Sequence, residues 1–290
     1  MITVLDISLD KRQGFFVRAA GALRKADIRV QVKSCGRLKV MYITCHTGFG
    51  RVDWGKIADY AGGARGYVLC DKELLLPRRL GFRRFYSQSL SRLMAINGTI
   101  TVLSLLKTQC RRLSLCFCDP GGEYARYAPL FLPLCGKMTV LTKSGAYSDF
   151  PDYAMGEYGA CVRVCRDERE LSDCRVIVAP RFSPLENYRG ERCVMFTAGG
   201  ESRNPLIKTI GGYGWGLPPK YRPLKPYFLS DEYFSQALYS VAHCADAAKA
   251  SPYEFDMCGQ RLTASDIAAV IASQAFPTLD TADSKAYNKL

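Results

Sequence analysis

Apolar positions along this chain fall in short runs separated by turns, with longer amphipathic stretches between them. The alternation is densest over residues 113–180. An apolar run at 113–118 ends in Asp119-Pro120-Gly121-Gly122, and a Tyr/Ala/Leu-rich segment with a helical pattern follows. A second run at 138–142, another helical stretch, and further runs at 161–165, 175–179 and 192–197 continue the series. Short apolar runs alternating with helical segments predict parallel strands joined by crossovers, and ligands of such sheets sit at the carboxyl ends of the strands.

The first part of the chain has a similar pattern on a smaller scale. Residues 2–5 read as a strand, and Asp10 is placed to cap a helix over 11–25 whose apolar face is Phe15, Phe16, Ala19, Ala20 and Leu23. Runs at 28–33 and 38–45 flank Ser34-Cys35-Gly36-Arg37 and predict a hairpin. Asp53 is placed to cap a helix through Tyr60, Gly62-Gly63 to end it, and residues 67–70 form a further strand. A helical stretch over 89–107, interrupted near Asn97-Gly98, joins the two parts. The Gly/Pro-rich passage 198–226 exceeds an ordinary connection and reads as a functional loop. Two helices close the chain. Ser230 caps one ahead of Asp231 and Glu232, and Thr263 with Asp266 forms a capping box before Ile267, Val270 and Ile271. The tail after Pro277 is polar and expected to fray.

With 290 residues, 48% of them apolar, the chain has material for one large or two ordinary globular domains. Several of the 13 cysteines (Cys116, Cys118, Cys161, Cys165, Cys193) fall inside apolar runs, where a thiol behaves as a small hydrophobe. No CxxC spacing occurs, so reduced buried thiols without a metal are expected. The opening residues lack the basic and small-residue features of a secretory leader, and no apolar run is long enough to span a bilayer. The expectation is a cytoplasmic chain with no membrane partner.

Charge divides the chain unevenly. Up to Arg112 there are 21 lysines and arginines against 7 acids, net +14; thereafter 19 stand against 20, net −1. Such asymmetry points to an anionic partner, nucleic acid among them. The densest cluster is Arg78, Arg79, Arg83 and Arg84, with Phe82 and Phe85 interleaved. Two readings follow. Either the arginines clamp phosphates while the rings stack on bases, or Leu80, Phe82 and Phe85 dock into the core and leave the arginines in water.

The glycine turn after residue 118 stands between a strand and a helix, as a phosphate-binding turn does. There glycine admits a ligand to the backbone, and the helix start supplies free N–H groups and positive charge. Residues 112–180 resemble the nucleotide-binding half of two-domain Rossmann dehydrogenases of the shikimate dehydrogenase kind. Gly121, Gly122, Ala125 and Arg126 match that family's GxGGxxAR-like turn, and Thr142-Lys143-Ser144 stands where a short polar or basic motif closes its second strand. The resemblance implies an α/β chain. The strand and helix pattern and the charge division lead to a Rossmann-like parallel-sheet domain at 111–290, preceded by a smaller basic α/β domain at 1–110. The resemblance also implies a cofactor held by Gly121, Gly122, Lys143 and Ser144. Lysine without an acid at the end of the second strand matches a ribose 2′-phosphate, hence NADP rather than NAD. The departures are Asp119 for the first glycine, Pro120 without an N–H, and Pro129 and Pro133 inside the following helix. The other reading of the turn is a Rossmann-like scaffold with no cofactor.

Further candidates are weaker in pattern. The loop 45–53 leaves one strand and enters a helix, forming a second anion cradle with His46 as a candidate general base. His243 reads as a helix-face residue. Glu201, Ser202 and Arg203 follow another strand end. The chain has no GxSxG, Walker-type loop or HExxH, so serine hydrolysis, P-loop phosphoryl transfer and zincin chemistry lose support. Two function classes remain: a nucleotide-dependent enzyme or sensor, and a non-catalytic protein whose basic first half engages nucleic acid or another polyanion. No pair of residues specifies a nucleophile or a reaction.

Overall fold

The computed structural model describes residues 1–9, 27–47, 52–171, 173–242 and 250–275. The expected helix over 11–25, the centre of the loop 45–53, His243 and the tail lie outside the described residues. Among the described residues the α-helices are α1 (Trp54–Ala61), α2 (Ser89–Leu105), α3 (Phe150–Tyr158), α4 (Asp231–Ala242) and α5 (Ala264–Ala275). None of them is long and apolar enough to cross a membrane.

The chain divides into two units, each mixed α/β. The first holds β1 (Ile2–Leu9), β2 (Asp27–Cys35), β3 (Leu38–Thr47) and β4 (Val68–Leu69), in the order β2-β3-β1-β4. Strand β1 is parallel to β3 and β4, while β2 and β3 form the expected hairpin, with Cys35 opposite Leu38 and Gly36 at φ +57°. Asp53 caps α1 by accepting from the Lys56 amide at 3.1 Å. Alternation along the strands sends Ile2, Val4, Leu38 and Val40 to one face and Leu5, Met41, Ile43 and Cys45 to the other. Ile57, Ala58 and Ala61 of α1 cover the second face.

The first face is covered by chain that returns from far downstream: Leu217, Tyr221, Leu224 and Leu229, then Phe234 and Leu238 of α4. The unit therefore comprises Met1–Leu90 with Gly216–Ala247, rather than the expected residues 1–110.

The second unit comprises Ser91–Trp215 and Ala248–Leu290, not an unbroken 111–290. Its strands are β5 (Ser114–Cys118), β6 (Lys137–Leu141), β7 (Val162–Cys165), β8 (Val176–Ala179), β9 (Cys193–Thr197), β10 (Ile207–Gly214), β11 (Glu254–Met257) and β12 (Gln260–Leu262). They form one sheet in the order β12-β11-β10-β9-β8-β5-β6-β7. The stretch β7-β6-β5-β8-β9-β10 is parallel throughout, and β11 and β12 are added antiparallel. Counted in chain order, the parallel strands run 3-2-1-4-5-6, the doubly wound arrangement, with its reversal between β5 and β8. The expected Rossmann-like sheet is what these residues build. Strands β8 and β9 are buried at every position, as parallel strands covered on both faces must be.

Three local expectations need correction. The passage 198–226 is not one long loop, because β10 runs through it. Glycines hide that strand in the sequence, and they are there for close approach. A Cβ on Gly212 would lie 2.9 Å from the Asp256 side chain, and one on Gly214 2.9 Å from that of Glu254, both on β11. Helix α2 is continuous through Asn97-Gly98. A Cβ on Gly98 would meet the Phe255 ring at 2.8 Å, and the Asn97 amide donates to the Ala250 carbonyl at 2.7 Å, so the pair serves packing rather than a break. The segment after β5 is a run of 3-10 turns over Ala125–Leu134, not an α-helix. Pro129 and Pro133 remove the N–H groups that α-helical pairing requires.

The crossover into β6 is set by Gly136, whose added Cβ would stand 1.8 Å from the Arg111 carbonyl oxygen, whereas Gly145 has open space around it. Gly136→Ala is expected to destabilise the protein by about 3 kcal/mol or more and Gly145→Ala by about 0.5 kcal/mol or less, measured by urea unfolding.

Candidate functional site

The carboxyl ends of β5, β6, β7 and β8 enclose a cleft of about 470 Å³, within the roughly 300–1,000 Å³ typical of small-molecule sites. Pro120 contributes from the turn after β5, Thr142 and Lys143 from the end of β6, and Arg166, Asp167 and Glu168 from the end of β7. Residues 183–187, after β8, form the remaining wall. All of these follow the carboxyl ends of parallel strands, the edge at which sheets of this order bind ligands.

The glycine turn is built around a buried carboxylate. Asp119 is 4% exposed. Its Oδ2 accepts from the Tyr124 amide and from the Tyr147 hydroxyl, each at 2.8 Å. Its backbone carbonyl accepts from the Thr142 hydroxyl at 2.7 Å, and its amide donates to the Leu141 carbonyl at 3.0 Å. Burial, reinforced by the Asp119 carboxylate, pushes the Tyr147 hydroxyl well above the usual tyrosine range, so it stays a donor. The carboxylate thus points into the protein, and one amide at the start of the following segment is already paired.

Gly122, at φ +74°, faces the β6 end. A Cβ there would fall 2.4 Å from the Ser144 hydroxyl and 2.9 Å from the Ala146 methyl. The Ser144 hydroxyl also accepts from the Ala146 amide at 3.2 Å. Gly122 and Ser144 therefore pack against each other and fix the turn, while Gly121 is exposed at its tip. Lys143 is exposed and lines the cleft; its amide donates to the Pro120 carbonyl at 3.3 Å. Across the reversal between β5 and β8, Arg181 and Glu123 form an exposed ion pair at 2.8 Å.

Charges around the cleft are unequally committed. Asp167 accepts from the Arg169 amide at 3.0 Å, and Glu168 accepts from the Asn187 amide at 3.1 Å and from its side chain. The side chains of Lys143 and Arg166 have no hydrogen-bond or ion-pair partner among the described residues. Sequence reasoning missed Arg166, although its position directly after the run 161–165 was the available signal. It also missed the loop 183–187, held by the Ser202 hydroxyl donating to the Pro184 carbonyl at 2.9 Å. Ser202 is thus a strut for the cleft wall.

Beneath the cleft, one face of the sheet is rich in thiols: Cys116, Cys118, Cys165, Cys174 and Cys193 are buried together with Leu185 and Tyr188. Burial pushes the Cys118 and Cys193 thiols up to about 12 each. In the first unit, His46 sits on β3 opposite Ser8 of β1, whose hydroxyl is 2.5 Å from its Nδ1. Within the arginine cluster Phe82 and Phe85 are 1% and 4% exposed, so neither ring is free to stack on a base, whereas Leu80, expected to dock with them, is 39% exposed.

No family model matches this chain, and no curated protein matches it. Among solved structures, it is similar to L-tryptophan dehydrogenase from Nostoc punctiforme at 10% identity, over 94% of this chain and 87% of that one, with a TM-score of 0.30. At that score the likeness adds nothing to the strand order already described.

The buried thiols make stability depend on pH in a defined direction. The folded values of Cys118 and Cys193 lie above the ordinary 9.0, so the contribution of these two is complete below pH 9.0 and is lost as pH rises toward about 12. Over that window Cys118 and Cys193 are each expected to remove up to about 1.4 kcal/mol per pH unit. Urea midpoints measured from about pH 8 to about pH 10.5 should fall, and less steeply for the C118A/C193A variant.

Proposed function

We propose that the second unit binds a nucleotide carrying a phosphate on its ribose, NADP among them, in the cleft over β6, β7 and β8. The observation that carries this reading is the pair Lys143 and Arg166. These two uncommitted cations stand at the ends of neighbouring parallel strands, on the wall where a doubly wound sheet receives the ribose of a nucleotide. A phosphate there accepts charge-assisted hydrogen bonds from both. Glu186, at the rim, is placed to accept from a ribose hydroxyl or a base amino group.

In this reading the glycine turn has a different task from the one its pattern suggests. Gly121, Gly122 and Ser144 lie outside the cleft lining, Gly122 packing against Ser144, while the Lys143 amide is held by the Pro120 carbonyl. The carboxylate of Asp119 takes the amide that a pyrophosphate would otherwise accept from. The phosphate that matters for recognition is then the one over β6 and β7.

Thermal unfolding with NADP, NAD and adenosine 2′,5′-bisphosphate tests the reading. A ligand at a hundred times its dissociation constant stabilises the fold by about 2.7 kcal/mol, a visible shift. NADP and the bisphosphate are expected to raise the melting temperature more than NAD does. K143A/R166A is expected to weaken both by about tenfold or more and to erase the preference over NAD. Equal binding of NAD and NADP, no binding of either, or full retention of the preference in the double variant would refute it.

A further inference from the structure

The first unit carries a second cavity. It is about 570 Å³ in volume and is lined by Lys72, Leu74, Leu75, Leu76, Arg78, Phe82, Arg83 and Arg84. It lies in the chain just after β4, on the carboxyl side of a strand parallel to β1. Four cations line it and no carboxylate does: Asp71 and Glu73 flank Lys72 in sequence but are not part of the wall. The side chains of Lys72, Arg78 and Arg83 have no hydrogen-bond or ion-pair partner among the described residues.

The rim is held rigidly. Residues 83–85 run beside β4, with Val68 donating to the Arg83 carbonyl at 3.0 Å and Phe85 to the Val68 carbonyl at 2.9 Å. Phe82 packs edge-on against Trp54 at 5.4 Å, and Phe85 packs in the core of the opposite face. Arg84 donates to the carbonyls of Asp71 and Leu74 at 2.8 and 2.9 Å and to the Cys70 thiol at 3.5 Å, pinning the loop that carries Lys72. Arg65 donates to the Leu80 carbonyl at 3.3 Å and steadies the turn bearing Arg78. Leu75, in the same wall, is 89% exposed.

We infer that this cavity is a site for a small phosphate monoester with an apolar body. The phosphate would be held by Arg78, Arg83 and Lys72, and the apolar part would lie against Leu74, Leu75 and Leu76. Cations carried on a hydrogen-bonded frame, with no carboxylate in the wall itself, suit a dianion, and guanidinium groups grip phosphate oxygens two at a time. The exposed leucine beside them favours a ligand with an apolar part over inorganic phosphate. Phe82, the aromatic residue in the wall, is buried, so the wall itself offers no ring for a base to stack on, and a compact ligand fits it better than a polynucleotide. This site is independent of the cleft bearing Lys143.

Titration calorimetry on the full chain tests the inference, with phenyl phosphate, inorganic phosphate and a short oligouridylate as probes. Phenyl phosphate is expected to bind with one-site stoichiometry and more tightly than inorganic phosphate. R78A/R83A should weaken it by about tenfold or more, since each lost charge-assisted contact is of that order. Arg79, which is not part of the wall, provides the control for general charge: R79A should change the affinity by no more than about twofold. K143A/R166A should leave it unchanged, separating this site from the nucleotide cleft. The inference fails if phenyl phosphate does not bind, if R79A weakens it as much as R78A/R83A, or if only the oligonucleotide binds.

Discussion

A carboxylate buried at the first turn of a doubly wound sheet is an expensive choice, and much of the second unit is arranged to meet its demands. A buried charge is tolerated only when hydrogen bonds replace the water it has lost. Asp119 receives one donor from the chain after β5, the Tyr124 amide, and another from the chain after β6, the Tyr147 hydroxyl. Thr142 closes on the Asp119 carbonyl from the β6 side as well. The same few atoms therefore tie the ends of β5 and β6 together, and Lys143 leaves the sheet one residue beyond that knot. Removing the carboxylate would leave the Tyr147 hydroxyl and the Tyr124 amide without their acceptor. The turn is a structural clamp first, and the position of the cleft follows from it.

The clamp also explains why the available positive charge lies over β6 and β7 instead of on the glycine turn. Over the reversal between β5 and β8 the chain places an ion pair, Glu123 with Arg181. Exposed pairs of this kind contribute little, about 0–1 kcal/mol, so the bridge is readily exchanged for other contacts. Toward β7 the arrangement is firmer, because Glu168 holds the Asn187 amide and side chain and Ser202 holds the Pro184 carbonyl. Among the described residues, the thiol-rich face below packs against Leu171, Leu185, Tyr188 and Leu206, which lie outside the strands. Of these, Tyr188 is anchored through the Cys174 and Glu191 carbonyls.

Which parts of this were legible in the sequence depends on how each residue type acts. Strands β5 to β9 are apolar at nearly every position, and their runs announce them; so do the caps at Asp53, Ser230 and Thr263, which form as expected. Strand β10 was hidden because its glycines, which normally mark turns, are there to let β11 approach. The discontinuous division of the chain was hidden for a different reason. The pattern around Leu217 to Leu238 shows that apolar residues will be buried, but not against which sheet. Lys143 was legible from its place after a strand. The burial of Asp119 was not, because its partners Tyr124 and Tyr147 become neighbours only once β6 is laid beside β5.

The arginines of the first unit show the difference between net charge and a site. An excess of +14 over the first 112 residues describes a field, and a field attracts anions without saying where they stop. Localisation comes from how the cations are used. Arg65 and Arg84 direct their guanidinium groups to backbone carbonyls and thereby fix the loops around them. Phe82 and Phe85 do the same by burial, each on its own face of the sheet. Arg78, Arg83 and Lys72 are left with their charges uncommitted on a frame held by the others. Two residues identical in type thus divide into one that builds the wall and one whose charge stays uncommitted in it, and only hydrogen-bond geometry tells them apart.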